Sequence, residues 1–416
     1  MRIDDFKKVF IIGWGKSGVS LAGLLLGLGK EVKVSEVAES EKFSSALIND
    51  FTSKGVEFEF GGHSQQFIKD AQLLVLSPSV DLNSSSIKQI ALANCIPYVG
   101  EIEFSSWLTK AKIIAITGTN GKTTTSELTY RVLNQTKKRV FLGGNIGTPF
   151  SSFVLDTKEG DIVVLEISSF QLESLIEFKP YVVAFLNIEP DHLDRYLDFK
   201  GYFQAKLNIF KNQNRRDWTV LNKNIDFRSQ IEKVIKSQLV YFSQELSNEN
   251  FSCVYRIAAI FGLTKIDCLK VFSEFKGLPH RLQLVRKLNK VIFINDSKAT
   301  NPSSTIWALK SVKAPIILLA GGKDKGLDYS SILPFLKKVK RVNLFGEAAT
   351  KIREALGSRV ETKSFRSLKE AVFSAYEGSE EEDTILLSPM CSSFDMFSDY
   401  QDRGNKFIEI VNSILS

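Results

Sequence analysis

The strongest chemical signal in this 416-residue chain is the run Gly118-Thr119-Asn120-Gly121-Lys122-Thr123-Thr124. It follows the apolar stretch Ile113 to Ile116 and precedes a helical pattern, the setting a phosphate-binding loop requires. Small residues let backbone amides close on a triphosphate, Lys122 offsets the charge of the β- and γ-phosphates, and Thr123 brings a hydroxyl to Mg2+. The run departs from the GxxxxGK[ST] spacing, because the first glycine would fall at Ile116 and Gly118 stands closer to the lysine. A second glycine turn, Gly13-Trp14-Gly15-Lys16-Ser17-Gly18, follows the apolar Val9 to Ile12. That pattern holds the diphosphate of a dinucleotide or of another phosphate-bearing substrate, and it also occurs as a plain tight turn. A dinucleotide site needs an acidic residue after the second strand, and at Ser35-Glu36 only Glu36 is available.

Four further groups have types and settings that suit catalysis. Glu166 lies at the end of the apolar run Ile162 to Ile167, where a strand-end carboxylate is either a Mg2+ ligand or solvated. His192, one of three histidines, stands among carboxylates in Asp191-His192-Leu193-Asp194-Arg195-Tyr196, which fits a metal ligand or a helix cap equally. Tyr202, Lys206 and Phe210 recur every four residues, which places Lys206 within an apolar stripe. There it is either a snorkelling lysine or a buried amine that, when neutral, takes up CO2 as a carbamate. Finally, Asp296-Lys298-Thr300, Lys323-Asp324-Lys325 and Ser388 to Asp395 each follow an apolar run. If those runs are parallel strands, the segments converge on one crevice whose lysines and hydroxyls suit a carboxylate-bearing substrate.

The elements that must hold these groups follow from the pattern. Short apolar runs alternate with amphipathic stretches, the rhythm of α/β domains with parallel sheets. Strands are expected at Val9–Ile12, Val32–Val34, Leu73–Leu76, Ile113–Ile116, Ile162–Ile167, Val182–Leu186, Val291–Ile294, Ile316–Leu319, Val342–Phe345 and Ile385–Leu387. They group into three serial domains, residues 1–108, 109–277 and 278–416, each a mainly parallel sheet flanked by helices. A content of 44% hydrophobic and 24% charged residues excludes a disordered or collagen-like chain. Cys95, Cys253, Cys268 and Cys391 form no CxxC, so neither a disulfide framework nor a cysteine zinc site is expected. No apolar run reaches the ~18–20 residues that span a bilayer, and a cytoplasmic location is expected, without membrane insertion. The net charge is +7, with clusters at Lys337, Lys338, Lys340 and Arg341 and at Lys211, Arg215 and Arg216. These read as solvated faces, not as a track for nucleic acid.

Taken together, the motifs resemble the Mur ligase family of peptidoglycan synthesis over nearly the whole chain. The central motifs are shared by all Mur ligases and by folylpolyglutamate synthetases. The Gly13 to Gly18 turn with the Asn-bearing phosphate loop, Asp191 to Tyr196, and Leu387 to Asp395 resemble the D-glutamate-adding branch. The Asp-Asn-Pro-Arg motif of the diaminopimelate- or lysine-adding branch does not occur. The resemblance implies a Rossmann-like N-terminal domain, a P-loop ATPase-like central domain and a Rossmann-like C-terminal domain, acting as a monomer. It implies ATP on Gly118, Thr119, Asn120, Gly121, Lys122, Thr123 and Thr124, one Mg2+ on Thr123 and Glu166, and a second on His192 and a carbamylated Lys206. It implies UDP-N-acetylmuramoyl-L-alanine along Gly15, Lys16, Ser17 and Glu36, with Asn145 and Ser168 at its sugar-peptide end. D-glutamate would lie on Thr300, Lys325, Ser393 and Phe394, and Arg281, Asp296 and Lys298 would face the nucleotide. Lys122, Glu166, His192, Lys206 and Lys298 would carry the catalysis.

Three departures mark this chain. Ser35 stands where the family usually has an Asp for uracil, and Ser79 stands where it usually has glycine. The stretch between Asn222 and Ala258 is short, and the His-Asn-x-x-Asn adenine motif is expected at Phe251-Ser252-Cys253-Val254-Tyr255, where it is lost. The alternatives are another ligase of the Mur or folylpolyglutamate type, a non-catalytic nucleotide-binding relative, and an NAD-dependent oxidoreductase built on the first glycine turn.

Overall fold

The computed structural model describes residues 3–81, 86–193 and 195–415. Its described residues form three sheets. The first contains β1 (Lys8–Ile12), β2 (Glu31–Ser35), β3 (Glu57–Glu59), β4 (Leu73–Leu76) and β5 (Tyr98–Gly100), in the order β3-β2-β1-β4-β5. The second contains β6 (Lys112–Thr117), β7 (Val140–Gly144), β8 (Ile162–Glu166), β9 (Val182–Phe185), β10 (Trp218–Asn222) and β11 (Gln238–Phe242), in the order β11-β10-β9-β6-β8-β7. Every pairing in these two sheets is parallel.

The third sheet contains β12 (Gln283–Leu288), β13 (Val291–Asn295), β14 (Ile316–Gly321), β15 (Val339–Phe345), β16 (Glu361–Ser364) and β17 (Thr384–Leu387), in the order β12-β13-β17-β14-β15-β16. Only β12 runs antiparallel, against β13. The expected α/β architecture of three helix-flanked, mainly parallel sheets is therefore the one observed.

Burial explains why these segments are strands. Ile162 to Leu165 of β8 and Ile316 to Leu319 of β14 are sealed from solvent, as expected of strands covered by helices on both faces. Each such side chain contributes about 1.5–3 kcal/mol on leaving water. The chain divides into two compact units, Met1–Ile188 with Lys200–Glu274, and Glu189–Phe199 with Phe275–Ser416. The first two sheets belong to the first unit and the third sheet to the second.

Strand order places the motifs. In the first sheet the order reverses between β1 and β4, and the first glycine turn leaves β1 at that point. In the second sheet β6, which feeds the phosphate loop, is flanked by β8 and β9. In the third sheet β13, β17 and β14 are successive neighbours, so the segments after them leave one edge side by side.

Several of the clustered basic side chains have structural partners, Arg341 on the Ser374 carbonyl (2.8 Å) and Lys211 on the Leu175 carbonyl (3.4 Å) among them. Lys338 Nζ donates to the carbonyls of Leu309 (3.3 Å) and Val312 (3.1 Å) at the end of the helix Pro302–Ser311. Lys340 pairs with Glu380 at 2.6 Å and Asp383 at 3.0 Å. Among the described residues no helix is long and apolar enough to cross a membrane.

Candidate active site

The candidate phosphate loop is held in place by its surroundings. Gly121 has φ +81 and starts the helix Lys122–Leu133, and a Cβ there would meet Asn250 Oδ1 at 2.6 Å. Asn187, just past β9, ties the loop down. Its Oδ1 accepts from the Asn120 amide at 2.8 Å, and its Nδ2 donates to the Asn120 carbonyl at 3.1 Å. Thr119 Oγ1 lies 3.1 Å from Tyr202 Oη. Lys122 Nζ donates to the carbonyls of Gly118 (2.9 Å) and Thr119 (2.8 Å), so the ammonium lies over the loop. Thr123 and Thr124, half-buried, occupy the first turn of the helix.

Glu166 ends β8 and is buried. Its Oε1 accepts from Asn145 Nδ2 at 2.8 Å, while its Oε2 has no hydrogen-bond partner among the described residues. A buried carboxylate oxygen left without a donor is costly, and a hard divalent cation satisfies it. No group of three or more His, Cys, Asp or Glu side chains gathers as a metal cage among the described residues.

Lys206 does not snorkel. On the helix Phe199–Leu207 it is 1% exposed, as are Tyr202 and Phe210 of the same stripe. Its Nζ donates to the Gly118 carbonyl at 3.0 Å and approaches Thr117 Oγ1 at 3.4 Å, so the amine is directed at the root of the phosphate loop. His192 belongs to the other unit, within the segment Glu189–Phe199. There its Nε2 is 3.8 Å from Asp191 Oδ2. Asp194 of the same motif lies outside the described residues.

The first glycine turn separates two kinds of glycine. A Cβ on Gly18 would fall inside the carbonyl of Gly13, so only glycine fits there. Gly15 has nothing within 4 Å of such a Cβ, and it lies exposed beside Lys16 at the start of the helix Lys16–Gly27. Open backbone at a helix N-terminus is what a diphosphate approaches. Glu36 is largely committed to this turn: Oε2 accepts the Trp14 amide at 2.6 Å and Oε1 the Ala38 amide at 2.9 Å. Ser35, also buried, contacts Glu59 Oε2 at 2.9 Å and His63 Nδ1 at 2.8 Å. Burial holds the His63 pKa below its usual value, against the opposing charges of Glu36 and Glu59.

In the second unit the three adjacent strand ends carry the expected residues. Asp296 is sealed from solvent; Oδ1 accepts the Leu282 amide at 3.2 Å and Oδ2 the Ser388 hydroxyl at 3.0 Å. Burial pushes its pKa up to about 6, with Arg281, the Ser388 hydroxyl and the Leu282 amide pulling the other way. Lys298 Nζ is 3.4 Å from Tyr400 Oη. Lys325 is buried and pairs with Asp191 Oδ1 at 3.3 Å, and Asn301 Nδ2 donates to Asp191 Oδ2 at 2.9 Å. Thr300 is half-buried, Ser393 is buried, and Phe394 stands 67% exposed.

Several groups escaped the sequence reading. Asn145, expected at the substrate, also orients Glu166, while Asn187 and Asp191 act through contacts that no motif marks. Asn250 is the most telling. The adenine motif was expected at Phe251 to Tyr255, but Phe251 is stacked on Phe272 at 4.3 Å. Asn250, one residue earlier, is the group that meets the phosphate loop, and its Oδ1 lies 3.4 Å from Thr125 Oγ1. The signal was its place two residues past the capping Asn248 of the helix Glu249–Ile260.

An α/β chain with a phosphate loop, a strand-end carboxylate beside it and a buried lysine at its root defines a class of nucleotide-dependent enzymes. Family profiles match it in three consecutive segments: the Mur ligase MurD-like N-terminal domain over residues 7–100, the Mur ligase middle domain over 116–284, and the Mur ligase glutamate ligase domain over 280–391. The UDP-N-acetylmuramoylalanine–D-glutamate ligase of Thermoanaerobacter pseudethanolicus is 36% identical, covering 97% of this chain and 98% of that relative. The enzyme of the same name from Chloroherpeton thalassium is 37% identical, covering 98% of each. Among solved structures, the UDP-N-acetylmuramate-alanine ligase MurC of Thermotoga maritima shares the fold with a TM-score of 0.62 at 18% identity, covering 98% of this chain and 99% of that one. The chain belongs to the Mur ligase family.

Proposed function

We propose that the protein is an ATP-dependent ligase that joins D-glutamate to the alanyl carboxylate of UDP-N-acetylmuramoyl-L-alanine, working as a monomer in cytoplasmic peptidoglycan precursor synthesis. The observation that carries the reading is the coincidence, on adjacent elements, of the phosphate loop, the unsatisfied Glu166 Oε2 and the buried Lys206 amine. The first acceptor's diphosphate lies along Gly15, Lys16 and Ser17. Asn145 and Ser168 meet its sugar-peptide end. The triphosphate lies on the amides of Gly118 to Thr124, and Lys122 leaves its loop carbonyls for the β- and γ-phosphates. Thr123 and Glu166 would hold one Mg2+, and His192 and a carbamylated Lys206 a second; the ions would supply positive charge to the phosphate oxygens.

The alanyl carboxylate attacks the γ-phosphorus, the bond to the bridging oxygen breaks, and ADP leaves. A carboxylate resists amines because oxide is a poor leaving group; as an acyl phosphate the same carbon releases phosphate instead. Thr300, Lys325, Ser393 and Phe394 hold D-glutamate. Its amine attacks the carbonyl carbon, phosphate departs, and the nitrogen loses its proton. Lys122 stabilises charge that grows on the transferring phosphoryl group, the usual source of catalysis in this chemistry. Arg281 and Lys298 would face the nucleotide, whereas Asp296, expected there too, is sealed from solvent and holds the Leu282 amide and the Ser388 hydroxyl instead.

The assay is phosphate release from Mg-ATP in the presence of both acceptors. Release that requires UDP-N-acetylmuramoyl-L-alanine and D-glutamate together supports the reading. Release indifferent to either acceptor contradicts it, and no release points to the non-catalytic relative.

A further inference from the structure

Arg403 is the one fully buried guanidinium among the described residues, with no solvent exposure, and its fork is spent on backbone carbonyls and one hydroxyl rather than on a carboxylate. It projects from the first turn of the helix Tyr400–Ser413. Its Nε donates to Ser297 Oγ at 2.9 Å and its Nη2 to the Ser297 carbonyl at 2.8 Å. Its Nη1 donates to the carbonyls of Cys391 at 3.1 Å and Ser392 at 3.2 Å. A Cβ on Gly322 would meet the same Nη1 at 3.0 Å. One side chain therefore touches the segments that follow β13, β17 and β14.

Those three segments carry Thr300, Ser393 and Lys325. The segments after β14 and β17 are tied again by the Lys323–Ser392 bridge. The Ser297 hydroxyl passes the link back to the helix by donating to the Tyr400 carbonyl at 2.8 Å. Sealing a guanidinium from water without an ion-pair partner is expensive, and an apolar residue of like volume usually serves stability as well or better. What an apolar residue lacks is a planar fork that fixes several acceptors at set angles. The cost is explained if the fork sets loop geometry.

We propose that Arg403 is a positioning residue for the amino-acid substrate, holding the three strand-end segments of the third sheet in the mutual register that D-glutamate requires. The inference rests on the ligase reading above and adds a residue that touches no substrate.

The test compares the wild type with R403M, which fills the same space without the fork. Melting temperature and the KM for each of the three substrates are measured by phosphate release. The expected result is a folded variant whose KM for D-glutamate rises about tenfold or more, a loss of the size that small misplacements cause, while the KM values for ATP and the UDP-linked acceptor hold. An unchanged KM for D-glutamate, or an equal rise in all three, overturns the inference. If R403M does not fold, S297A is read by the same criteria; it removes one acceptor, leaves the interior filled, and should raise that KM by about threefold to fivefold. A wild type whose phosphate release ignores D-glutamate would sink the ligase reading itself, and the inference with it. A D-glutamate-dependent wild type with unaltered variants sinks the inference alone.

Discussion

Lys206 owes its chemical interest to burial. Spacing along the helix left a snorkelling lysine open, and the sequence had no means of deciding, because both readings share the same stripe. The structure directs the amine at the Gly118 carbonyl. If the carbamate forms there, Lys206→Ala should cut activity by about 100-fold, the scale on which groups around a metal act. Added short carboxylates should restore part of it, and full activity in the untreated variant would refute the carbamate. Asp296 gives a prediction in pH. Its folded pKa, about 6, lies above the ordinary value of 3.8. As pH rises from about 4 to about 6 the unfolded chain ionises first, so this group takes up to about 3 kcal/mol of stability away across that window. Asp296→Asn should remove that component. Chemical denaturation at pH 4 and pH 6.5 checks it: the stability of the wild type relative to the variant should fall between the two, and a flat difference would contradict the assigned environment. The residues legible from sequence were those on glycine motifs and strand ends; Asn187 and Asn250 were not, because an asparagine has no spacing rule until the fold brings it to a loop.

At the scale of elements, the glycine turn after β1 separates folding from binding. Gly18→Ala places a methyl against the Gly13 carbonyl and should lower stability by about 2 kcal/mol or more, read as a fall in melting temperature. Gly15→Ala meets no neighbour, so the melt should hold while the KM for the UDP-linked acceptor rises. A destabilised Gly15 variant, or one with unaltered KM, would contradict the diphosphate assignment. Strand legibility followed the same physics. All ten expected strands are present, because continuous Val, Ile and Leu runs mark strands covered on both faces. The overlooked ones are mostly at sheet edges: Glu57–Glu59, Val140–Gly144, Gln238–Phe242, Gln283–Leu288 and Glu361–Ser364. Such strands need only partial cover, so three of them carry charged residues, Gln238–Phe242 exposes Gln238 and Tyr241, and Val140–Gly144 is only half-buried over most of its length. Tyr98–Gly100, also at an edge, is simply too short to give a pattern. Trp218–Asn222 is the interior exception, with Thr219 buried by side-chain hydrogen bonds to Gln213 and Ser237.

Across the whole molecule, three blocks were legible because each carries its own series of apolar strands, the first two opening on a strand, a glycine turn and a helix. Their grouping was not. The two compact units place Glu189–Phe199 with the C-terminal sheet, although its sequence position lies between β9 and the helix that bears Lys206. Asp191 explains the grouping, since its carboxylate takes both Lys325 and Asn301. Such pairing is long-range and leaves no local trace in the chain. His192 and Lys206, read as sharing one ion, therefore belong to different units. The function proposed for the whole chain turns on one chemical event, transfer of a phosphoryl group to the oxygen of a carboxylate. The most direct test uses UDP-N-acetylmuramoyl-L-alanine labelled with oxygen-18 in the alanyl carboxylate, and mass analysis of the phosphate released during turnover. The account predicts phosphate carrying one labelled oxygen for each amide bond formed. Unlabelled phosphate released alongside the amide product would contradict it.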